Sequence, residues 1–173
     1  MNEKTLIKRK PLRLKDYDYS MSGAYFITIC VKNRKELLSK IIAHQDTCSD
    51  VRNNLSQFGK ICDKYINNIN IKYNNVTVDK YVIMPNHIHL ILFIDGTMWA
   101  SSPTKNVIIS TFDTKHIESI IRSFKTMVTK ETGISIWQRS YYDHVIRNEN
   151  DYREIWNYID TNIYNWDKDY FYK

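Results

Sequence analysis

Hydrophobic positions follow two different spacings along this chain, and each spacing predicts one kind of element. Four segments rich in β-branched and aromatic side chains predict strands: residues 24 to 32, 76 to 84, 87 to 94 and a stretch within 136 to 146. Three segments with apolar residues three and four positions apart predict amphipathic helices: residues 51 to 69, residues 117 to 128, and a last helix from about 149 to 163. Pro85 and Asn86 predict a tight turn between the second and third strands.

The order strand, helix, strand, strand, helix, strand predicts an α+β fold of the ferredoxin-like split β-α-β kind. We expect an antiparallel sheet of four to five strands with helices on one face, and an added C-terminal helix. Gly133 is expected to end the second helix, and the polar, aperiodic residues 95 to 114 predict a loop. The chain shows no internal repeat, so we expect a basic arm over residues 1 to 23 and a single domain over residues 24 to 173.

Composition narrows the class of protein. Hydrophobic residues make up 43% of the 173 residues, with only four glycines and three prolines, which indicates a globular chain. The N-terminus lacks the apolar core of a signal peptide and no apolar run is long enough to cross a bilayer, so we expect a cytoplasmic protein without membrane contact. The three cysteines, Cys30, Cys48 and Cys62, form no CxxC pair, which argues against a disulfide framework and a cysteine zinc site.

Positive charge is concentrated near the N-terminus. The formal net charge is +6, and six basic residues with no acidic one among them lie between positions 4 and 15: Lys4, Lys8, Arg9, Lys10, Arg13 and Lys15. The other basic residues are equal in number to the 19 acidic residues of the chain. Such a segment is either a solvated tail or a contact for a polyanion, and nucleic acid is the usual polyanionic partner.

Two histidines lie one residue apart inside the most hydrophobic predicted strand. Because side chains alternate between the faces of a strand, His87 and His89 point to the same side and their imidazoles can reach one ion. The alternative is that both rings are packed in a core or on an edge strand. The spacing therefore favours a metal site without deciding for it.

The last predicted helix carries a second candidate group. Its apolar residues form one stripe, and Tyr158 and Asn162, four positions apart, share a face on the flank of that stripe. This placement puts the Tyr158 hydroxyl at the margin of the core, one turn from an amide oxygen that could bind a metal. Alternatively, Tyr158 is one of 13 tyrosines and simply part of an amphipathic helix.

Several segments, taken in order, resemble the REP-associated tyrosine transposases, which fall within the HUH single-tyrosine transposase class of bacterial insertion sequences. The matching segments are RKPLRLKDYDYS from Arg9, AYFITICVKNRKELL from Ala24, PNHIHL from Pro85, SFKTMVTKETG from Ser123, WQRSYYDHVIRNENDY from Trp137, YIDTN from Tyr158 and NWDKDYF from Asn165. The resemblance covers nearly the whole chain. One departure is Ile163, because relatives often have proline after the asparagine.

The resemblance implies a metal-dependent enzyme that cuts and rejoins single-stranded DNA beside hairpins through a 5′-phosphotyrosine. On this basis His87 and His89 match the HUH pair of metal ligands, Tyr158 matches the nucleophile, and Asn162 matches a third metal ligand. The family resemblance allows a divalent ion, Mn or Mg, whereas two imidazole ligands favour Mn. The expected partner is single-stranded DNA with a hairpin, and the class includes monomers and homodimers.

Other residues are weaker candidates for the same function. Arg122, Lys125 and Thr129 share the polar face of the second helix and could hold phosphates, or could simply be solvated. His144 could be a fourth polar group near the metal or could form a structural hydrogen bond. Four aromatic residues could stack on unpaired bases or belong to the core: Phe26, Trp137, Tyr141 and Tyr142.

Two other classes of function remain open at this point. One is a rolling-circle replication or relaxation initiator, which uses the same chemistry but usually has a helicase or further domain. The other is a nucleic-acid-binding module of ferredoxin-like fold without catalysis, which would not need His87, His89 and Tyr158 together.

The basic arm leads to the first testable expectation. Deleting residues 1 to 15 removes the six clustered basic side chains, so affinity for hairpin DNA should fall and its salt dependence should become shallower, because fewer counterions are released. Fluorescence anisotropy at several salt concentrations measures both quantities. Equal salt slopes for the truncated and full-length proteins would show that the arm does not contact phosphate.

Overall fold

A computed structural model describes residues 23–43, 51–94 and 117–172. Its strands and α-helices, in chain order, are β1 Gly23–Cys30, β2 Ser39–Ala43, β3 Val51–Leu55, α1 Gln57–Lys72, β4 Val76–Ile83, β5 His87–Ile94, α2 Ile117–Thr132, β6 Tyr142–Ile146 and α3 Glu149–Thr161. Short 3-10 helices follow β1 and α3, at Lys32–Arg34 and Asn162–Lys168. The predicted basic arm, with Lys8, Arg9, Lys10 and Arg13, lies outside the described residues, as does the predicted loop over residues 95 to 114.

The main sheet has four antiparallel strands in the order β4-β5-β1-β6. This is the strand order of the ferredoxin-like fold, so the predicted α+β class is confirmed. β5 and β1 occupy the centre, and their register places His89 opposite Thr28 and His87 opposite Cys30. The two histidines therefore lie on an inner strand, where the backbone is held on both sides.

The two faces of the sheet are covered by different helices. Side chains of β1 such as Ile27 and Ile29 pack in one apolar cluster with residues of α1 and α2. The other face carries Phe26 and, from α3, Ile159 in a second cluster. Because both faces are covered, every residue of β5 is buried, including both histidines. Among the helices of the described residues, none has the length and apolar character that a bilayer crossing requires.

The predicted helix over residues 51 to 69 begins too early. Residues Val51–Leu55 form β3, which pairs with β2 in a separate two-stranded sheet, and α1 begins only at Gln57. The prediction failed because Val51 and Leu55, four positions apart, share a face in a strand as well as in a helix. The helix start is set by Ser56, whose hydroxyl accepts a hydrogen bond from the Gly59 backbone N–H.

The other predicted elements are confirmed with small shifts of their ends. α2 ends at Thr132, before Gly133 with a φ of 73°, a left-handed conformation that glycine adopts at low cost. The predicted fourth strand is split. Its first part pairs with the end of β1 through the Val31–Trp137 bridge, and its second part is β6.

At Gly59 the helix α1 packs closely against the chain before β2, and this contact can be tested. A Cβ added at this position would lie 2.1 Å from the Leu38 carbonyl oxygen, a backbone atom. Alanine is the better helix former by up to about 1 kcal/mol, but the clash should dominate, so Gly59→Ala should lower the free energy of unfolding by about 1 to 3 kcal/mol. Urea unfolding measures the change.

The neighbouring exposed position provides the control. Lys60→Ala, one residue later in the same helix, should change the unfolding free energy by less than about 0.5 kcal/mol. An unchanged or higher urea midpoint for Gly59→Ala would contradict the close approach of α1 to Leu38.

Candidate functional site

The candidate site is built around the two histidines at the start of β5. His87 and His89 are both buried on the face of the sheet that α3 covers, and their ring centroids are 4.4 Å apart. The two-residue turn at Pro85 and Asn86 is closed by the Met84 N–H, which donates to the His87 carbonyl at 2.9 Å. The hairpin therefore fixes the backbone from which both rings project.

The His87 ring is oriented by the residue before it. Its Nδ1 lies 2.8 Å from Asn86 Oδ1, while Asn86 Nδ2 donates to the Phe171 carbonyl at 2.9 Å. Since an amide oxygen only accepts hydrogen bonds, His87 Nδ1 carries the proton and Nε2 carries the lone pair. Nε2 is buried and has no hydrogen-bond partner among the described residues. The Nε2 lone pair therefore accepts no hydrogen bond from the described residues and could bind a metal ion.

The His89 ring lies between a hydroxyl on β1 and a hydroxyl on α3. Its Nδ1 is 2.8 Å from Thr28 Oγ1, and its Nε2 is 3.2 Å from the Tyr158 hydroxyl. Phe26 stacks on the ring with a centroid distance of 5.1 Å. These contacts aim Nε2 at the tyrosine.

Asp169 completes the cluster, and the sequence analysis missed it. Its buried Oδ2 lies 3.9 Å from His87 Nε2 and accepts hydrogen bonds from the Tyr158 hydroxyl at 3.0 Å and from Asn162 Nδ2 at 2.9 Å. One ligand atom from each of His87, His89 and Asp169 can be chosen such that all three lie within 4.8 Å of one another. Asp169 follows a 3-10 segment beyond the end of α3, so helical spacing from Tyr158 gives no signal for it.

The tyrosine is positioned by the way α3 docks on the edge of the sheet. The Tyr152 hydroxyl donates to Asp79 at 2.8 Å, and the Lys80 ammonium lies 2.5 Å from Asp160 and 3.7 Å from the centre of the Trp156 ring. These contacts join the helix to β4. They leave Tyr158 at the margin of the apolar cluster, with 40% of the residue exposed, so its hydroxyl reaches His89 while the ring stays open to solvent on one side.

Asn162 lies one turn after the tyrosine, at the end of α3. The residue is buried, its Nδ2 donates to Asp169, and its Oδ1 has no hydrogen-bond partner among the described residues. Tyr158 and Asn162 therefore meet at the same carboxylate oxygen. The fold brings together five groups from two distant parts of the sequence: the two ring nitrogens of β5, and a phenol, an amide and a carboxylate of the C-terminal segment.

Burial sets the protonation of this cluster. It lowers the pKa of His87 to about 4, against the opposing effect of the Asp169 charge, and it lowers the pKa of His89 well below its usual value. Both rings are therefore neutral near pH 7, which is the form that binds metals. Burial, followed by the charge of Asp169, raises the pKa of Tyr158 above its usual value. The phenol therefore stays protonated and needs a proton acceptor to become a nucleophile.

The donor set fits a divalent cation. Two buried polar atoms of this cluster, His87 Nε2 and Asn162 Oδ1, have no hydrogen-bond partner among the described residues, and an unpaired buried acceptor is costly unless something binds it. Two neutral imidazoles with a carboxylate and an amide oxygen suit Mn or a similar ion, whereas Mg prefers oxygen ligands alone.

Three polar residues that the sequence predicted as candidates lie outside this cluster: Arg122, Lys125 and His144. His144, on β6, hydrogen-bonds Asp151 at 2.9 Å, and the exposed Arg122 pairs with Glu118 within α2. The Lys125 ammonium donates to the backbone carbonyls of Gln138 and Ser140 at 3.0 and 2.9 Å. The structure therefore brings together Tyr158, His87, His89 and Asn162, and places Arg122 and Lys125 on the other side of the sheet.

Comparison with known proteins identifies the family. The family model "Transposase IS200 like" matches residues 20 to 162. The chain belongs to the IS200-like transposase family. An uncharacterized protein of Haemophilus influenzae is 36% identical over 174 residues, covering 95% of this chain and 93% of the relative. A second protein of that organism, assigned to the REP-associated tyrosine transposases, is 26% identical over 149 residues, covering 86% of this chain and 72% of the relative.

The fold is shared with a solved transposase. The structure of a REP-associated tyrosine transposase bound to a REP hairpin matches with a TM-score of 0.55 at 21% identity, covering 87% of this chain and 72% of that chain. Together with the family match, this confirms the predicted resemblance to the REP-associated tyrosine transposases.

The site geometry of this transposase predicts where a metal binds. Crystals soaked with manganese should show an anomalous peak about 2.0 to 2.3 Å from one ring nitrogen each of His87 and His89. The double variant His87→Ala, His89→Ala should lose manganese binding in calorimetry. His144→Ala, on the same face of the sheet but bonded to Asp151, should bind as the unaltered protein does. Full manganese binding by the double variant would rule the site out.

Proposed function

We propose that this transposase is a divalent-metal-dependent endonuclease and strand transferase that acts on single-stranded DNA at hairpin-flanked sites. Tyr158 is the proposed nucleophile, and a 5′-phosphotyrosine is the proposed intermediate. The observation that carries the proposal is the meeting of the Tyr158 hydroxyl with His89 Nε2, at 3.2 Å, inside a cluster that also contains His87, Asn162 and Asp169.

The proposed metal ligands are the two histidines and the asparagine, and two of their atoms, His87 Nε2 and Asn162 Oδ1, have no hydrogen-bond partner among the described residues. His87 and His89 supply imidazole nitrogens, and Asn162 supplies an amide oxygen. A divalent ion bound by these residues would supply positive charge to the phosphate and to the leaving oxygen. The orientation of His87 by Asn86 supports this role, since a hydrogen bond at Nδ1 fixes the lone pair at Nε2.

The proposed cleavage begins with removal of the proton from the Tyr158 hydroxyl. Asp169 Oδ2 accepts a hydrogen bond from the Tyr158 hydroxyl at 3.0 Å and can take its proton. The phenolate oxygen attacks the phosphorus, forming the tyrosine–phosphate bond while the bond to the 3′-oxygen breaks. The departing 3′-oxygen takes up a proton, which leaves a free 3′-hydroxyl. Because the phosphodiester energy is kept in the phosphotyrosine, a second 3′-hydroxyl can reverse the step without ATP.

Family membership and site geometry together weigh against the alternatives. Membership of the IS200-like transposases favours strand transfer over a rolling-circle initiator. A module that only binds nucleic acid has no need for a buried pair of neutral histidines beside a partly exposed tyrosine. The hairpin part of the proposal draws on the fold relative, which was solved bound to a REP hairpin.

The nucleophile is tested by removing one oxygen atom. Tyr158→Phe should fold and bind hairpin DNA but form no covalent adduct, because only the attacking hydroxyl is lost. The assay incubates labelled single-stranded hairpin DNA with Mn, separates the products on a denaturing gel and maps the labelled peptide.

A second tyrosine serves as the matched control. Tyr164→Phe, at a residue that is 60% exposed just after α3, should form the adduct at the normal rate. An adduct that persists in Tyr158→Phe, or that maps to a peptide without Tyr158, would move the nucleophile elsewhere.

A further inference from the structure

A basic groove lies on the side of the sheet opposite the histidines. It runs between α2 and the segment 135–141, with a volume of about 750 Å³. Its lining includes four basic residues: Arg122, Lys125, Lys130 and Arg139. Among the described residues, the one acidic side chain in its lining is that of Glu118, which lies 2.8 Å from the Arg122 guanidinium. We call this the α2 groove.

The α2 groove continues into a second cavity of about 940 Å³. The two cavities share four lining residues: Ser135, Trp137, Gln138 and Arg139. The second cavity adds Lys32, Asn33 and Arg34, which form the turn after β1, and its lining within the described parts of the chain contains no acidic residue. The two cavities therefore form one continuous basic surface, and Arg139 lies where they meet.

The continuous surface ends beside the candidate active site. The Arg34 guanidinium lies 5.1 Å from the centre of the Tyr170 ring and 5.2 Å from that of Phe171, and donates to the Tyr170 carbonyl at 3.1 Å. The Phe171 ring is 4.6 Å from His87. The chain of contacts thus joins the turn after β1 to the metal-binding histidine.

The turn that carries Arg34 is held in an unusual backbone conformation. Asn33 and Arg34 have φ values of 59° and 52°, in the left-handed region that non-glycine residues rarely adopt. Such strain is kept where the surrounding structure requires a side chain in one place. Here it directs the guanidinium across the last aromatic residues of the chain.

The wall of the α2 groove is fixed from inside. The Lys125 ammonium donates to the carbonyls of Gln138 and Ser140, and Trp137 is buried against Phe124 with ring centroids 5.6 Å apart. Lys125 thus holds the wall, while the exposed Arg139 and Lys130 present charge along it.

We propose that the α2 groove and its continuation bind the unpaired DNA strand that connects a hairpin with the scissile phosphate. The described lining residues of the two cavities include six basic residues and one acidic residue, an excess of positive charge that suits a phosphodiester backbone. Tyr170, with 76% of the residue exposed beside Arg34, offers a ring on which an unpaired base can stack. This course of the DNA strand rests on the proposed function, because it assumes that cleavage takes place beside His87.

The test compares two exposed arginines at opposite ends of the sheet. Arg139→Ala removes the charge at the junction, and Arg147→Ala removes an equal charge just after β6, at the end of the sheet far from His87. Anisotropy is measured without metal on two labelled oligonucleotides: a hairpin with a ten-nucleotide unpaired flank and the same hairpin without the flank. Binding is therefore read independently of cleavage.

We expect Arg139→Ala to weaken binding of the flanked hairpin several-fold and to reduce its salt slope by about 0.7, the value for one phosphate contact on a single strand. Binding of the bare hairpin by Arg139→Ala, and of both oligonucleotides by Arg147→Ala, should not change. An equal loss on both oligonucleotides would assign the groove to the hairpin stem and overturn the proposal. No loss on either would overturn it as well. If Arg139→Ala shows the expected loss on the flanked hairpin but the unaltered protein forms no covalent adduct with DNA, the proposed function fails and the assignment of the groove stands.

Discussion

The pairing of β1 with β5 is the constraint on which the site depends. These central strands are hydrogen-bonded on both sides and covered on both faces, so the side chains they aim at α3 have fixed positions. The register places Thr28 opposite His89, which is why a hydroxyl on one strand can orient an imidazole on the next. A shift of one residue would turn both histidines toward α1 and α2.

The remaining groups of the site come from the C-terminal part of the chain, which adapts to that rigid pair. α3 contributes Tyr158, its end contributes Asn162, and the segment beyond it returns to place Asp169 between them. Asn86 joins these parts, since its side chain contacts both His87 and the Phe171 carbonyl. The sheet therefore positions the imidazole nitrogens of the site, and the docked C-terminal segment positions its oxygen atoms.

Local patterns were enough to predict most of the fold and part of the site. The alternation of side chains on a strand placed His87 and His89 together, and helical spacing placed Asn162 one turn from Tyr158. The strand β3 was taken for helix because residues four apart share a face in both elements. Asp169 was missed because a 3-10 segment separates it from α3, and no periodicity crosses that change of geometry. The role of Lys125 in holding backbone carbonyls also depends on tertiary contacts that spacing along one helix does not contain.

The Thr28 hydroxyl can either donate a hydrogen bond to His89 Nδ1 or accept one from it, which a group that only accepts cannot do. When His89 donates from Nε2 to Tyr158, its Nδ1 is an acceptor and Thr28 must donate to it. When Nε2 binds a cation, the ring must be the other tautomer, with the proton on Nδ1, and Thr28 must accept it. A hydroxyl can do both by rotating its hydrogen, whereas a carbonyl in the same place could support only the second state. Reversing one hydrogen bond would thus let a single imidazole alternate between contacting the Tyr158 hydroxyl and holding a cation, without any movement of the backbone.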